Sequence, residues 1–174
     1  MRSGGSGKPG TDRRVLKFQR FQDTTVASPM LRELVGYWQR KRGERKTLRL
    51  SDVDPLEIGG RLLPHLMLVD VEHGSEPKTL RFRFRLIGTY VVATMGRDNT
   101  GKYFEEVYPA ENLPEMTAGL RWVLENRAPM RSTGNAEFAD KGWRELEFLL
   151  LPLTDDDGGD VCRIILALDD RPMA

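Results

Sequence analysis

The last third of the chain decides its fold class. Residues 130–139 (MRSTGNAEFA), 143–153 (WRELEFLLLPL) and 161–168 (VCRIILAL) read as three strands rich in β-branched, aromatic and leucine side chains. Gly142 interrupts the first pair, and TDDDGGD at 154–160 separates the second as a hairpin turn. A parallel connection needs a dozen or more residues, so these three strands must be antiparallel neighbours. A doubly wound parallel sheet is thereby excluded, and the chain falls among α+β folds.

Upstream, HLMLVDVE at 65–72 reads as a strand, and RFRFRLIG at 81–88 alternates strictly. Phe82, Phe84 and Leu86 take one face, while Arg81, Arg83 and Arg85 take the other, the pattern of a half-buried strand. An arginine row of this kind suits the solvated face of an edge strand, where charge discourages pairing with another sheet. Between these strands and the C-terminal three lie TYVVATMG and YFEEVYP, which suit single helical turns. A longer helix is expected over ENLPEMTAGLRWVLENR, with Leu113, Met116, Leu120, Val123 and Leu124 at helical spacing.

The N-terminal part has its own helix at 28–43. Ser28 is placed to cap it, Pro29 suits its first turn and Gly43 its end. Leu31, Leu34, Val35 and Trp38 form one apolar stripe. In SDVDPLEIGGRLLP, Asp54 and Glu57 resemble a capping box, and Pro64 ends the short helix or turn. Residues 1–27 begin Gly- and Ser-rich and basic, and are expected to be a flexible tail. The domain is then a single unit over 28–170, including the flanking helix 28–43.

GRDNTGK at 96–102 is one residue short of the phosphate-binding loop of nucleotide hydrolases. That loop needs a strand feeding directly into a helix, and Ser or Thr after its lysine to hold magnesium. Here Tyr103 follows Lys102, Asp98 would repel phosphate, and IILALDD lies in an antiparallel hairpin. The nucleotide reading fails on context.

Charge is balanced, with 27 Lys and Arg against 26 Asp and Glu. The basic run QRKRGERKTLR at 39–49 could attract nucleic acid, but no recognition helix or aromatic platform stands beside it. Cys162 is the single cysteine, so no intrachain disulfide forms, and a small core residue is its expected role. No apolar run is long enough to cross a bilayer, and a cytoplasmic location is expected. No His lies near Ser or Cys in a nucleophile motif, and the acids of the 154–160 turn read as a soluble tip. Neither catalytic residues nor metal ligands are expected.

Taken together, IGTYVVATMGRDNTGKYFEEVYP resembles the middle of a PAS domain. YWQRKRG, LSDVDPLEIGGRLLPHLMLVDV and FRFRLIGT resemble a branch of stand-alone bacterial PAS-like proteins, of alphaproteobacterial type. The resemblance spans roughly residues 30–168 and includes the order of elements. It implies a five-stranded antiparallel sheet of order 2-1-5-4-3, with helices on one face. It also makes Gly88, Gly96 and Gly101 structural, at tight turns and close helix approaches.

The resemblance further implies a sensory or regulatory domain that binds a small ligand or works through protein contacts, without catalysis of its own. Haem sensors of the family take an axial His from the longer helix, but 111–127 has none, and His65 and His73 lie elsewhere. Flavin sensors carry a reactive Cys where this chain has GRDNTGKYF. No haem or flavin is therefore expected. An apolar or weakly polar ligand remains, with Phe82, Phe84, Tyr90, Met95, Trp122, Phe138 and Phe148 as candidate lining. Leu31, Leu34, Val35 and Trp38 are the candidate surface for a homodimer or a regulatory partner; the other destination for this stripe is the chain's own sheet. Two alternatives stand beside this reading: a ligand-free interaction adaptor, and a nucleic-acid-binding regulator using 39–49. One outcome follows from the loop alone. ATP or GTP with magnesium should leave the melting temperature unchanged, and a nucleotide-dependent rise abolished by Lys102→Ala would restore the phosphate-loop reading.

Overall fold

The computed structural model describes residues 18–76, 79–136 and 141–172. Seven strands form one sheet: β1 (Gln19–Phe21), β2 (Leu48–Arg49), β3 (Leu66–His73), β4 (Leu80–Ile87), β5 (Met130–Ala136), β6 (Lys141–Thr154) and β7 (Val161–Pro172). Among the described residues five helices accompany them: α1 (Pro29–Arg42), α2 (Pro55–Ile58), α3 (Thr89–Met95), α4 (Phe104–Val107) and α5 (Leu113–Asn126). The sheet order is β1-β5-β6-β7-β3-β4. Five of these strands, read from the β4 edge to β5, are the expected 2-1-5-4-3 arrangement, with every pairing among them antiparallel.

The two short strands are additions at places where longer partners stop. β1 pairs with the outer edge of β5. β5 begins opposite Leu150, which leaves the end of β6 without a neighbour on that side. β2 fills the gap, running parallel to Leu153 and Thr154. Residues 18–27, expected in a flexible tail, therefore belong to the fold: they carry β1, and Val26 is buried. Residues 1–17 lie outside the described part.

Both faces of the sheet are covered. One core lies between the sheet and α3–α5, built around Met67, Val69, Phe82, Phe84, Phe104, Leu120, Leu146, Leu150 and Ile164. A second lies on the opposite face, where Leu149, Leu151, Leu153, Ile165 and Ala167 meet α1 and the 48–66 segment. Along β6, Leu146, Phe148 and Leu150 belong to the first core, and Leu149, Leu151 and Leu153 to the second. The unbroken FLLLPL run reflects that double burial.

The stripe of α1 takes its place in the second core. Leu31 and Leu34 are fully buried, with Val35 and Trp38 nearly so, all within one chain. That surface, expected to meet a second copy, is instead occupied by the chain's own sheet. Ser28 caps the helix by accepting from the Leu31 amide at 3.1 Å. The Ser28 hydroxyl donates to Asp169 at 2.6 Å, and Glu147 accepts the amides of Ala27 and Ser28 at 2.8 Å each. Two carboxylates projecting from β6 and β7 thus hold the positive end of the helix.

The 39–49 basic run is used locally. Arg40, Lys41 and Arg42 occupy the last turn of α1, where cations complement the helix dipole. Arg45 folds back to donate to the carbonyls of Lys41 and Arg42, and pairs with Asp52 at 2.8 Å. The Arg42 guanidinium lies over the Trp38 ring at 4.6 Å. Asp54 caps α2 through the Leu56 amide, but Glu57 does not complete the expected capping box; it pairs with Lys41 at 2.9 Å and ties α2 to α1. The arginine row of β4 lies on an edge strand, as expected. Arg83 and Arg85 gather with Arg163 around the buried Asp70 carboxylate, and Arg81 pairs with Glu105 while stacking over Tyr103 at 3.5 Å. No helix among the described residues is long and apolar enough to cross a membrane.

Gly88 links β4 to α3 at a point of backbone crossing. Its amide donates to the Leu66 carbonyl at 2.8 Å, and a Cβ there would lie 2.2 Å from the Pro64 carbonyl oxygen. Gly96, the left-handed end of α3 at φ +76°, has open space around a Cβ. Gly88→Ala should therefore cost about 3 kcal/mol or more, because backbone must move. Gly96→Ala should cost about 1 kcal/mol, from the conformation alone. Urea unfolding of the two variants separates the cases, and equal losses would refute the close-approach role of Gly88.

Candidate functional site

Short helices cover the inner face incompletely, and a hollow remains beneath them. Its floor is the sheet: Met67 of β3, Phe84 and Ile87 of β4, Phe148 of β6, and Leu166 and Leu168 of β7. Val91 and Met95, one turn apart on α3, form part of the roof. Phe104 and Tyr108, likewise four apart around α4, and Met116 of α5 form the rest. The space open to the centre of a water-sized sphere is about 60 Å³. This corresponds to roughly four water-sized positions.

Aromatic rings fix the shape of the hollow. Phe84 and Phe104 stack at 4.4 Å with an 18° angle between planes, and Tyr108 leans against Phe104 at 5.5 Å. Phe18 meets Phe148 edge to face at 5.6 Å. Phe18, Met116, Phe148 and Leu166 also line a second hollow of similar size, which opens past the Arg20–Glu115 ion pair of 2.8 Å. These four side chains are the partition between the two spaces.

One end of the first hollow is polar, and the GRDNTGK loop supplies it. The loop is sewn to the edge of β4: the Gly101 amide donates to the Phe84 carbonyl at 2.6 Å, and the Phe84 amide to the Lys102 carbonyl at 2.9 Å. Gly101, at φ +86°, permits that approach. Asp98 turns back on Thr100, whose side-chain hydroxyl first and backbone amide second, the latter at 2.9 Å, lower its carboxyl below the usual range. Asn99 is 4% exposed and lines the hollow. Its side-chain amide makes no hydrogen bond among the described residues. Arg97 lines the same end and makes one long bond, to the Val107 carbonyl at 3.3 Å. The Tyr108 hydroxyl also lacks a partner among the described residues, and burial pushes it up to about 12 against the opposing pull of Arg97.

Of the residues expected to line a pocket, Phe84, Met95 and Phe148 do so. Phe82 is instead core, packed on Phe104 at 5.9 Å. Tyr90 points away from the hollow and stacks on His65 at 3.8 Å, because α3 gives the hollow its Val91 and Met95 side. Trp122 packs against the inner core beyond Met116. Phe138 lies outside the described residues. Gly96 and Gly101 have the left-handed conformations expected of turn glycines, whereas Gly88 is required by contact rather than by φ. Cys162 is half-buried rather than fully so, and desolvation raises its thiol.

The sequence reading missed Phe18, Met67, Phe104, Tyr108, Arg97 and Asn99. Phe104 and Tyr108 carried a usable signal, two aromatics at i and i+4 in YFEEVYP. Arg97 and Asn99 lie in GRDNTGK, a loop without the periodicity that assigns a side chain to a face.

A family model described as a PAS domain matches residues 26–167. Comparison with curated proteins and with solved structures gives no match.

The phenol at the hollow's polar end makes stability depend on alkaline pH. An unfolded tyrosine ionises near pH 10, whereas folded Tyr108 holds its proton to about 12. The folded state thus binds the extra proton between these values, and stability falls as pH rises through them. With the ring only half-buried, the loss should be about 2 kcal/mol rather than the full two-unit value. Urea unfolding at pH 10 and 12 should show this loss in the parent chain and not in Tyr108→Phe; identical pH profiles would place the phenol in solvent.

Proposed function

The chain belongs to the PAS domain family, whose members have sensory or regulatory roles, and on that premise we propose that it is a ligand-responsive sensory domain with no catalytic activity of its own. A small molecule occupies the hollow between the sheet and α3–α5, and the response passes to a protein partner. The observation that carries this reading is Asn99, a residue only 4% exposed, whose side-chain amide faces the hollow and has no partner among the described residues. A polar side chain that faces a hollow without a protein partner is free to pair with whatever enters it, and would be costly to seal off unpaired.

The adaptor alternative loses the surface first assigned to it, since the α1 stripe is covered by the chain's own sheet. Association with a second copy, where it occurs, uses another surface. The nucleic-acid alternative is weakened in the same way, because Lys41 and Arg45 of the basic run are paired with Glu57 and Asp52.

Filling the hollow tests the ligand reading. Leu166 lies on the floor of both spaces, so Leu166→Trp should occlude them. Native mass spectrometry and a thermal-shift screen of small fragments are run on the parent chain and this variant. The parent should retain a small mass, or gain several degrees with at least one fragment, and the folded variant should do neither. A parent indifferent to every fragment and free of retained mass would refute the ligand reading and favour the interaction adaptor.

A further inference from the structure

The side chains at the polar end of the hollow narrow the chemistry of its occupant. Arg97, Asn99 and Tyr108 meet there, and each can donate a hydrogen bond. No carboxylate lines this hollow among the described residues. The nearest acid in sequence, Asp98, is spent on the Thr100 turn. Arg20, Arg81, Arg83 and Arg163 are each matched with a protein carboxylate, whereas Arg97 makes no ion pair among the described residues. Its guanidinium has five N–H groups, and one long bond to a carbonyl uses one of them. The end of the hollow is therefore rich in donors, positively charged and without an internal anion.

The rest of the hollow asks for something different. Stacked Phe84 and Phe104, with Met95, Met116 and Leu168, offer only apolar contact. An occupant matched to both parts is apolar along its body and carries hydrogen-bond acceptors, best with negative charge, at one end. Its size is set by the roughly four water-sized positions available, about the bulk of a benzoate or a hexanoate.

We infer that the occupant is a small monocarboxylic acid, its apolar body among the rings and its carboxylate at Arg97 and Asn99. The inference rests on the ligand-binding reading above. The Arg97 fork suits the two carboxylate oxygens, and the Asn99 amide and Tyr108 hydroxyl donate to the remaining lone pairs. A neutral apolar molecule of the same size would cover the Asn99 amide and leave it without a partner. A dicarboxylate would place its second charge among phenylalanines.

Matched pairs of ligands test the assignment on the full chain. Benzoate, phenylacetate, butyrate and hexanoate are titrated calorimetrically at constant ionic strength, beside benzamide, benzyl alcohol and hexanol. At least one acid should bind tenfold or more tightly than its neutral counterpart. Arg97→Gln should remove that preference while leaving binding of the neutral compound unchanged. Asn99→Asp keeps the side-chain size and puts a charge at the same place, so it should reject the acids and admit benzylamine. Thermal unfolding of each variant establishes that it is folded, and Arg97, being exposed, provides the variant that should fold regardless. Neutral compounds that bind as well as the acids, with Arg97→Gln silent, would overturn the acid assignment and leave the ligand reading intact. Binding by none of the acids would also overturn it, and the Leu166→Trp comparison then judges the ligand reading separately.

Discussion

β6 and β7 are apolar on both faces, and most of the architecture answers to that fact. A strand with one apolar face needs one cover; a strand reading FLLLPL needs two. The inner cover comes from α3–α5 and the outer from α1 with the 48–66 segment. Burying a leucine- or tryptophan-sized side chain contributes roughly 1.5–3 kcal/mol, so the four stripe residues of α1 make that helix part of the domain and not an appendage. Glu147 and Asp169 then set its position along the sheet, because each sits on the outer face and accepts from the residues that lead into the helix, Ala27 and its cap Ser28. Where the outer cover ends, toward β4, the exposed face changes chemistry. Arginines and acids lie paired over Asp70 and Glu72 in place of a helix over leucines.

The two covers differ in kind. α1 is a continuous helix of 14 residues, capped at its start and closed by Gly43 at its end. The inner cover is assembled from a seven-residue helix, a four-residue helix and a loop stitched to an edge strand, with only α5 matching α1 in length. Short pieces with bulky rings cannot tile a twisted sheet without gaps. The hollow therefore lies on the inner side, and polar residues reach it through the loop rather than through a helix.

The sheet was legible in the sequence because its signals are local. Alternation in RFRFRLIG and the acidic glycine turn at 154–160 specify antiparallel neighbours without reference to anything distant. The destination of α1 was legible in principle: the runs in β6 and β7 are too apolar for a sheet with one wet face, and they required a second cover. Setting the stripe of α1 against those runs would have favoured the chain's own sheet over a second chain. Lining of the hollow was harder to read, since it depends on which side of α3 turns inward. Tyr90 and Val91 are neighbours with opposite fates, and periodicity over seven residues does not distinguish them. Phe18 belonged to a stretch whose composition looks like a tail, and distant partners give it a place: β5 pairs with the adjoining β1, and Glu115 accepts the Phe18 amide at 2.9 Å.

Alternation also puts the two sides of the molecule into mechanical contact. On β6, Phe148 borders the hollow and its neighbour Glu147 grips the start of α1. On β7, Leu168 borders the hollow and its neighbour Asp169 grips Ser28. The Leu168 carbonyl also receives the His65 Nδ1–H at 2.9 Å, from the turn that leads into β3. In both strands one peptide unit separates the floor from the clamp. The two strands are also neighbours, with Glu147 opposite Asp169 and Phe148 opposite Leu168, so floor and clamp face each other in register across the pair. Whatever displaces the floor therefore acts within one residue of a carboxylate that holds the start of α1.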